Sequence, residues 1–281
     1  MASPRVSVVI PTFNRADMVR NTIDSVLAQT VPCEIVVSDH GSADQTPSVM
    51  RDYRDRVCYV RRETDSGPVF AWLDGVLHAT GEFVHINFDD DWIDPRFVER
   101  TLALMSHRCG FVMSDAMRHG DDGTVCRLYP NLFSEGLNPS RLAEEFLLRR
   151  PLTVSPGCAL FRREDVLDSL YIGRVPFSLA RYRGAGPDLF MFLVATLRHP
   201  RFGFVNEALA HFRAHEGSIT IDAMANPLRS KDLASAYTAV KRYYLVLKCA
   251  ELTRLPSLLW RLARLWMRVR HRVLRIFGRR R

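Results

Sequence analysis

The sequence lacks any apolar run long enough to cross a bilayer. Its longest run, residues 189–197, is about half of the ~18 to 20 residues that a membrane-spanning helix needs. It also lacks the n-region and cleavage site of a secretory signal, because the first residues pass at once into a strand-like run. The six cysteines include no Cys-x-x-Cys pair, which disfavours a zinc site or a disulfide framework. These absences predict a cytoplasmic protein with reduced thiols.

Charge is scarce in most of the chain and concentrated at one end. The 281 residues carry a net charge of +8, with 47% hydrophobic and 25% charged residues, an ordinary globular composition. Residues 251–281 hold ten arginines and one glutamate, a local charge of +9 that leaves −1 on residues 1–250. The excess of basic residues is therefore a property of the C-terminal segment alone.

Short β-branched runs alternate with helical patterns in the first half of the chain. Strands are predicted over residues 6–10, 34–38, 57–60 and 83–88, and helices over 16–29, from about 47, and over 69–79. Strands that alternate with helices of this length predict an α/β fold, namely a doubly wound and mostly parallel sheet with helices on both faces.

The rest of the chain is less regular. Strand-like pieces lie within residues 110–221, together with one clear helix over 187–198. After residue 227 two helices are predicted, over 228–252 and 257–277. We expect one domain over 1–225, divided at 109/110 into a regular first half and a less regular second half. Residues 226–281 would then form a C-terminal helical extension.

Polar clusters follow three predicted strands, at residues 12–15, 39–44 and 89–91. In such sheets, ligands bind outside the carboxyl ends of the strands. The adjacent carboxylates of Asp89, Asp90 and Asp91 raise one another's pKa unless a cation neutralises them. Mg²⁺ or Mn²⁺, completed by substrate phosphates, is the usual answer. A solvated acidic turn that caps the next helix is the alternative.

Asp39 directly follows a buried strand, where it could accept hydrogen bonds from a nucleobase or ribose. Gly41, Ser42 and Asp44 are equally well explained as turn and helix-cap residues. Turn and helix-cap chemistry explains Asp39 less well than it explains these three residues.

Four segments in order resemble the family 2 glycosyltransferases with the GT-A fold: VSVVIPTFNR, EIVVSDHGSADQT, DSGPVFAWLDGVLHATGEFVHINFDDDWIDP and HEGSIT. The resemblance is dense over residues 5–100 and loose over 150–220. It implies a nucleotide-diphosphate-sugar donor and inverting transfer to a glycan or lipid-linked acceptor hydroxyl. On this resemblance, the domain over 1–225 is the catalytic domain, with residues 1–109 as its nucleotide-sugar-binding half and 110–225 as its acceptor half. An enzyme of the hexosyltransferase type, active in cell-envelope polysaccharide or glycolipid synthesis, is thus expected.

The resemblance also implies roles for particular residues. Nucleotide-sugar-binding roles fall on Pro11, Thr12, Asn14, Asp39, Asp65, Gly67 and Asp89. Divalent-metal roles fall on Asp90, Asp91 and His215, and the catalytic base on Asp188. A carboxylate suits the base because the acceptor hydroxyl must lose its proton. Without the resemblance, Asp188 is better explained as a first-turn aspartate of a helix and His215 as a structural histidine.

Three positions depart from the family pattern. Phe88 stands where the first Asp of the Asp-x-Asp motif is common, His40 replaces a frequent Asp, and Trp72-Leu73 replaces a frequent Arg-Asn. Phe88 favours a rival hypothesis, a catalytically silent binding or scaffold protein with the same fold. A sugar-nucleotidyltransferase is disfavoured, because PTFNR is not the Gly-rich loop that such an enzyme needs. A dinucleotide oxidoreductase is disfavoured because no Gly-x-Gly-x-x-Gly follows a strand.

The predicted helix over 257–277 is amphipathic. Its apolar positions recur at steps of three and four, and arginines occupy the opposing positions. Such helices lie in anionic membrane interfaces, which predicts peripheral attachment to the cytoplasmic face of a membrane. Packing on the body or an oligomer contact is the alternative. A nucleic-acid partner is disfavoured, because the rest of the chain shows no motif of a nucleic-acid-binding domain.

Overall fold

Ten strands form one sheet in the computed structural model, which describes residues 5–149, 155–171, 186–215 and 227–252. The strands are β1 (Val6–Thr12), β2 (Glu34–Asp39), β3 (Cys58–Arg61), β4 (Phe83–Ile86), β5 (Trp92–Ile93), β6 (Cys109–Gly120), β7 (Val125–Arg127), β8 (Gly136–Pro139), β9 (Ala159–Arg162) and β10 (Arg201–Ala214). Their order is β3-β2-β1-β4-β9-β6-β10-β5, with β7 beside β6 and β8 beside β10.

Eight α-helices accompany the sheet within the described ranges. They are α1 (Ala16–Leu27), α2 (Thr46–Asp52), α3 (Pro68–His78), α4 (Phe97–Leu104), α5 (Ser140–Arg149), α6 (Arg163–Ser169), α7 (Pro187–Arg198) and α8 (Pro227–Leu252). The helix predicted over 187–198 has these bounds, and the one predicted over 228–252 begins one residue earlier. Helices α4, α5 and α6 were not predicted.

The first four strands of the sheet order, β3-β2-β1-β4, are all parallel. The chain steps outward from β1 to β2 to β3 and then crosses back to β4 on the other side of β1. Because such crossovers are right-handed, α1 and α2 cover one face and α3 covers the other. The predicted α/β class with helices on both faces is confirmed, and the order of the strands reverses between β1 and β4.

The later strands extend the same sheet. β9 lies antiparallel between β4 and β6, and β10 runs parallel to β6 with register shifts. β5 pairs antiparallel with β10, so that Ala210 faces Ile93 and His211 faces Trp92. This pairing brings the carboxyl end of β10 beside the turn that follows β4.

The core explains why these segments form these elements. Every residue of β1 is buried, as its Val and Ile content predicts for a central strand. Helix α7 is buried on nearly all sides because α5, α6 and α8 pack around it. In α8, Val240 and Tyr244 are fully buried.

Among the described helices, none has both the length and the apolar character required to span a bilayer. The amphipathic helix predicted over 257–277 lies outside the described residues.

Candidate functional site

The polar clusters predicted at three strand ends meet at one edge of the sheet. Thr12 of β1 lies opposite Asp39 of β2, and Asp39 lies opposite Arg61 of β3. Beyond β4, the backbone N–H of Asn87 donates to Val9 of β1, which carries the acidic turn to the other side of Thr12. The cluster therefore stands where the strand order reverses, the usual ligand position in such sheets.

The loop after β1 holds the acidic turn in place. Thr12 Oγ1 donates to Asp89 Oδ2 at 2.8 Å, and Phe13 N donates to the same oxygen at 3.3 Å. From α1, Thr22 Oγ1 donates to the carbonyl oxygens of Asp91 at 2.7 Å and Asp89 at 3.0 Å. The predicted contact between Thr12 and the donor nucleotide, and that of Asp89, stay predictions, but the two side chains bind each other.

Burial, followed by the negative charge of Asp90, raises the pKa of Asp89 to about 7. The hydrogen bond from Thr12 and the charge of Arg15 oppose this rise. The same two causes, burial first and Asp90 second, hold the pKa of Asp91 well above its ordinary range. The turn thus concentrates negative charge in a desolvated place, which is the condition that favours a bound cation.

Asp90 and His215 come together although 125 residues separate them. His215 Nε2 lies 2.9 Å from Asp90 Oδ2. Arg15 joins them, with its Nη1 3.0 Å from the same imidazole nitrogen and 3.5 Å from the same carboxylate oxygen. Arg15 was not predicted as a site residue, although its place beside Asn14 in the first loop was a usable signal.

One carboxylate oxygen of Asp91 is bound by the backbone of β10, and its metal role stays a prediction. Its Oδ1 accepts a hydrogen bond from Arg213 N at 3.0 Å, and the side chain is buried. Within the described ranges, no three or more His, Cys, Asp and Glu side chains gather as a metal-holding group. Asp90 and His215 still fit a divalent ion, because one carboxylate oxygen and one imidazole nitrogen leave most positions to substrate phosphates.

Asn14 ties the first loop to the second. Its backbone has a positive φ of 54°, a conformation that asparagine tolerates better than most residues. Asn14 N donates to Ser42 Oγ at 2.9 Å, and Ala43 N donates to Asn14 Oδ1 at 2.8 Å. Asn14 therefore fixes the relative position of the two loops, while Pro11 lies buried at the end of β1.

Asp39 is fully buried, and both of its carboxylate oxygens accept hydrogen bonds. Oδ1 accepts from Gly41 N at 3.2 Å and Ser42 N at 2.8 Å. Oδ2 accepts from the Tyr59 hydroxyl at 2.6 Å and lies 3.6 Å from Arg61 Nε. The turn interpretation of Asp39 is thus present in the geometry, and its contact with a nucleobase or ribose stays a prediction.

His40 connects the second loop to the turn before α3. Its Nδ1 lies 2.6 Å from Asp65 Oδ1, and its ring stacks on Phe13 at 4.8 Å between centroids. Asp65 Oδ1 also accepts from Gly67 N at 2.6 Å. Gly67 has a φ of 89°, a value that side chains disfavour, and stands directly before Pro68, the first residue of α3. The departure at His40 therefore supports the predicted Asp65–Gly67 turn.

Phe88 and Trp72, two further departures from the family pattern, contact each other. Their ring centroids lie 5.3 Å apart with the planes tilted by 50°. Trp72 is buried in α3 and Phe88 is half-buried beyond β4. The two departures from the family pattern therefore form a single apolar contact.

Asp188 lies in the first turn of α7 and contacts helix α8. Its Oδ1 accepts from Gly186 N at 2.9 Å and Leu189 N at 2.8 Å, and its Oδ2 accepts from the Tyr237 hydroxyl at 2.7 Å. The helix-start interpretation of Asp188 is thus present in the geometry, and its role as a base stays a prediction. No sequence signal pointed to Tyr237, 49 residues away.

The sequence is similar to curated glycosyltransferases. The family model described as glycosyl transferase family 2 matches residues 7–170. An uncharacterized glycosyltransferase of Rickettsia typhi is 32% identical over 126 residues, which cover 42% of this chain and 39% of that protein. A GalNAc(5)-diNAcBac-PP-undecaprenol beta-1,3-glucosyltransferase of Campylobacter jejuni is 38% identical over 93 residues, which cover 31% of this chain and 30% of that protein. The match thus spans about two fifths or less of each relative's length.

Solved structures share the fold at lower identity. S. aureus TarS 1-349 in complex with UDP-GlcNAc superposes with a TM-score of 0.62 at 19% identity, covering 85% of this chain and 71% of that chain. A mannosyltransferase of Pyrobaculum calidifontis in complex with GDP-Man and Mn²⁺ superposes with a TM-score of 0.51 at 16% identity, covering 98% and 88%. These likenesses confirm the predicted fold.

Proposed function

Since the chain belongs to glycosyl transferase family 2, we propose that it transfers a sugar from a nucleoside-diphosphate donor to an acceptor hydroxyl, with inversion at the anomeric carbon. The meeting of Thr12, Asp39, Asp89 and Asp90 where the strand order reverses is the observation that carries the proposal. A silent scaffold would need no such concentration of desolvated carboxylates beside two ordered loops.

The donor's nucleoside would lie over the ends of β1 and β2. Asp39 and the Asp65–Gly67 turn would lie on one side of the nucleoside. The first loop, which Asn14 ties to the second loop, would lie on the other side. Pro11 and Thr12, at the end of β1, would lie beneath the nucleoside. The TarS and mannosyltransferase structures bind UDP-GlcNAc and GDP-Man, so both uridine and guanosine donors are candidates here.

Asp90 and His215 would hold a divalent ion, Mn²⁺ or Mg²⁺. When bound, such an ion neutralises the charge that develops on the departing diphosphate. A mixed carboxylate and imidazole set suits Mn²⁺, and the mannosyltransferase neighbour contains that ion. Asp91 would support the metal site indirectly, through its hydrogen bond with Arg213 N and through its charge.

Asp188 would take the proton of the acceptor hydroxyl. The acceptor oxygen forms a bond to the anomeric carbon while the bond from that carbon to the diphosphate oxygen breaks. The nucleoside diphosphate leaves with that electron pair, and the proton passes to an Asp188 carboxylate oxygen. Tyr237, which donates to Oδ2, would orient the carboxylate for this task.

The acceptor would be a glycan or a lipid-linked saccharide of the cell envelope. The Campylobacter relative's name describes an undecaprenol-linked acceptor, which is the support for this class. The basic segment over 251–281 would place the enzyme on the cytoplasmic face of an anionic membrane, where such an acceptor lies. We retain the division into a catalytic domain over 1–225 and a helical region over 226–281 as part of the proposal.

The test is a panel of UDP- and GDP-sugars assayed for hydrolysis and transfer with and without Mn²⁺. Asp90→Ala should abolish transfer and metal-dependent nucleotide binding while the thermal unfolding transition remains. Asp55→Ala, a highly exposed aspartate in the turn before β3, is the matched control and should behave as wild type. Full activity of Asp90→Ala would remove the metal assignment, and lack of turnover with every donor would favour the scaffold hypothesis.

A further inference from the structure

Three side chains from distant parts of the chain form a small triangle at the proposed metal position. Arg15 Nη1, Asp90 Oδ2 and His215 Nε2 are separated by 2.9 to 3.5 Å. All three are largely shielded from water, with side-chain exposures of 25%, 17% and 8% respectively. The guanidinium therefore makes its contacts in a place where charge is poorly screened.

The hydrogen bonds of this triangle cannot all be satisfied together. Arg15 is a donor only, and Asp90, when ionised, is an acceptor only. If His215 Nε2 carries a proton, it donates to Asp90, and the Arg15 N–H then faces a ring nitrogen that has no lone pair with which to accept. If Nε2 carries no proton, it accepts from Arg15, and two electron-pair donors then face one shared cation. In this second arrangement Arg15 occupies the position that a metal ion would take.

The backbone of Arg15 is fixed, so that any movement belongs to its side chain. Arg15 N donates to Thr46 Oγ1 at 3.3 Å, and its carbonyl oxygen accepts from Met18 N and Val19 N as α1 begins. The guanidinium also donates to Met18 Sδ at 3.4 Å, and a thioether is a weak acceptor. The planar guanidinium fork is well suited to two oxygens of a phosphate.

We propose that Arg15 is the resident cation of the Asp90–His215 pair, that a divalent ion displaces its guanidinium, and that the displaced guanidinium then bonds the donor's diphosphate. This inference rests on the proposed function. It makes metal and nucleoside diphosphate bind cooperatively, because the diphosphate provides the new partner of the guanidinium that the metal has displaced. Such coupling is reciprocal between the two ligands.

The experiment measures Mn²⁺ binding to the full chain by electron paramagnetic resonance of free Mn²⁺, alone and with saturating UDP or GDP. For Arg15→Gln we expect Mn²⁺ alone to bind about tenfold tighter, since no internal cation has to leave. That factor corresponds to about 1.4 kcal/mol. The ratio of the Mn²⁺ dissociation constants without and with nucleotide should fall about tenfold. Unchanged or weaker binding of Mn²⁺ alone would overturn the inference.

Two further variants keep the test sharp. Arg15→Lys keeps the charge but not the fork, so Mn²⁺ alone should bind as in wild type while the coupling ratio falls. Arg20→Gln removes the same charge from α1 at an exposed pair with Asp52, and both quantities should stay at wild-type values. If Arg15→Gln does not fold, an Arg15→Lys coupling ratio equal to that of wild type overturns the inference by itself.

Failure of this inference and failure of the proposed function give different results. A wild-type protein that binds no Mn²⁺ with either nucleotide refutes the proposed metal dependence and the inference with it. Cooperative binding in wild type that persists in both Arg15 variants refutes the inference alone.

Discussion

The Tyr59 hydroxyl donates a hydrogen bond to Asp39 Oδ2, the oxygen that would have to accept a hydrogen bond from a nucleobase. Asp39 Oδ1 already accepts from two backbone N–H groups, and Oδ2 accepts from Tyr59 at 2.6 Å. Burial, followed by the hydrogen bond with Asp39, raises the pKa of Tyr59 far above its ordinary value, so that the hydroxyl remains a donor. Removing it by Tyr59→Phe separates the structural contact of Asp39 from its proposed contact with the donor.

The expected magnitude follows from the charge of the acceptor. A hydrogen bond to a charged group contributes about 1.5 to 3 kcal/mol, so the free energy of unfolding of the ligand-free protein should fall by about that amount. A base N–H, as on uracil or guanine, would restore a donor to Oδ2. Nucleotide affinity should therefore increase in the variant by up to about tenfold, if roughly 1.4 kcal/mol of the loss is regained.

Calorimetric titration with UDP or GDP in the presence of Mn²⁺, together with urea unfolding, measures both quantities. Tyr53→Phe is the matched control, because the Tyr53 hydroxyl donates to Asp24 Oδ1 at 2.8 Å away from the strand ends. It should lose stability and keep wild-type affinity. If Tyr59→Phe is destabilised yet binds nucleotide no more tightly than wild type, Asp39 does not contact the base and serves only to shape its loop.

Three further changes have defined outcomes. Asp188→Asn should keep donor binding but lower kcat by ~100-fold or more, because an amide takes no proton at neutral pH; a kcat within a few-fold of wild type would place the base elsewhere. Deleting residues 257–281 should release the protein from anionic vesicles, and added salt should weaken binding of the full chain; equal co-sedimentation of both proteins would contradict the membrane proposal. Burial lowers the pKa of His85 to about 4, below its unfolded value of about 6.5, so stability is lost as pH falls from about 6.5 to 4. Urea unfolding should show a loss of about 2 kcal/mol from this group between pH 7 and pH 5, and a smaller loss in His85→Gln; equal losses would show that other groups dominate.

The sequence was sufficient to predict the parallel part of the sheet. Its strands are short runs of Val and Ile between helical segments, and parallel strands joined by right-handed crossovers leave few arrangements. The same rule brings Thr12, Asp39 and Asp89 to one edge, because each lies at or just beyond the carboxyl end of a strand. Local pattern and topology thus predicted which loops meet at this edge of the sheet.

Contacts between distant segments were beyond sequence reasoning. The Arg15–His215 contact joins residues 200 positions apart and depends on the path of β10. Nor does any periodicity predict that Oδ2 of Asp39 accepts from Tyr59, or that Trp72 packs on Phe88. Such contacts are set by side-chain packing between elements rather than by local sequence preference. Trp72 and Phe88, which are separate departures from the family pattern along the chain, therefore form a single contact in the fold.

The hydrogen bond from Arg213 N to Asp91 has a consequence for the order of events during synthesis. The two residues are 122 positions apart, and chains grow at roughly 5 to 20 residues per second. The acidic turn therefore leaves the ribosome roughly 6 to 24 seconds before the strand that completes it. During this interval the nascent chain contains the residues of β1 to β5 but neither His215 nor the Arg213 amide. On the proposed function, capture of a nucleotide sugar with a metal ion would therefore wait until nearly all of residues 1–225 have been translated, and unfinished chains would not sequester substrate.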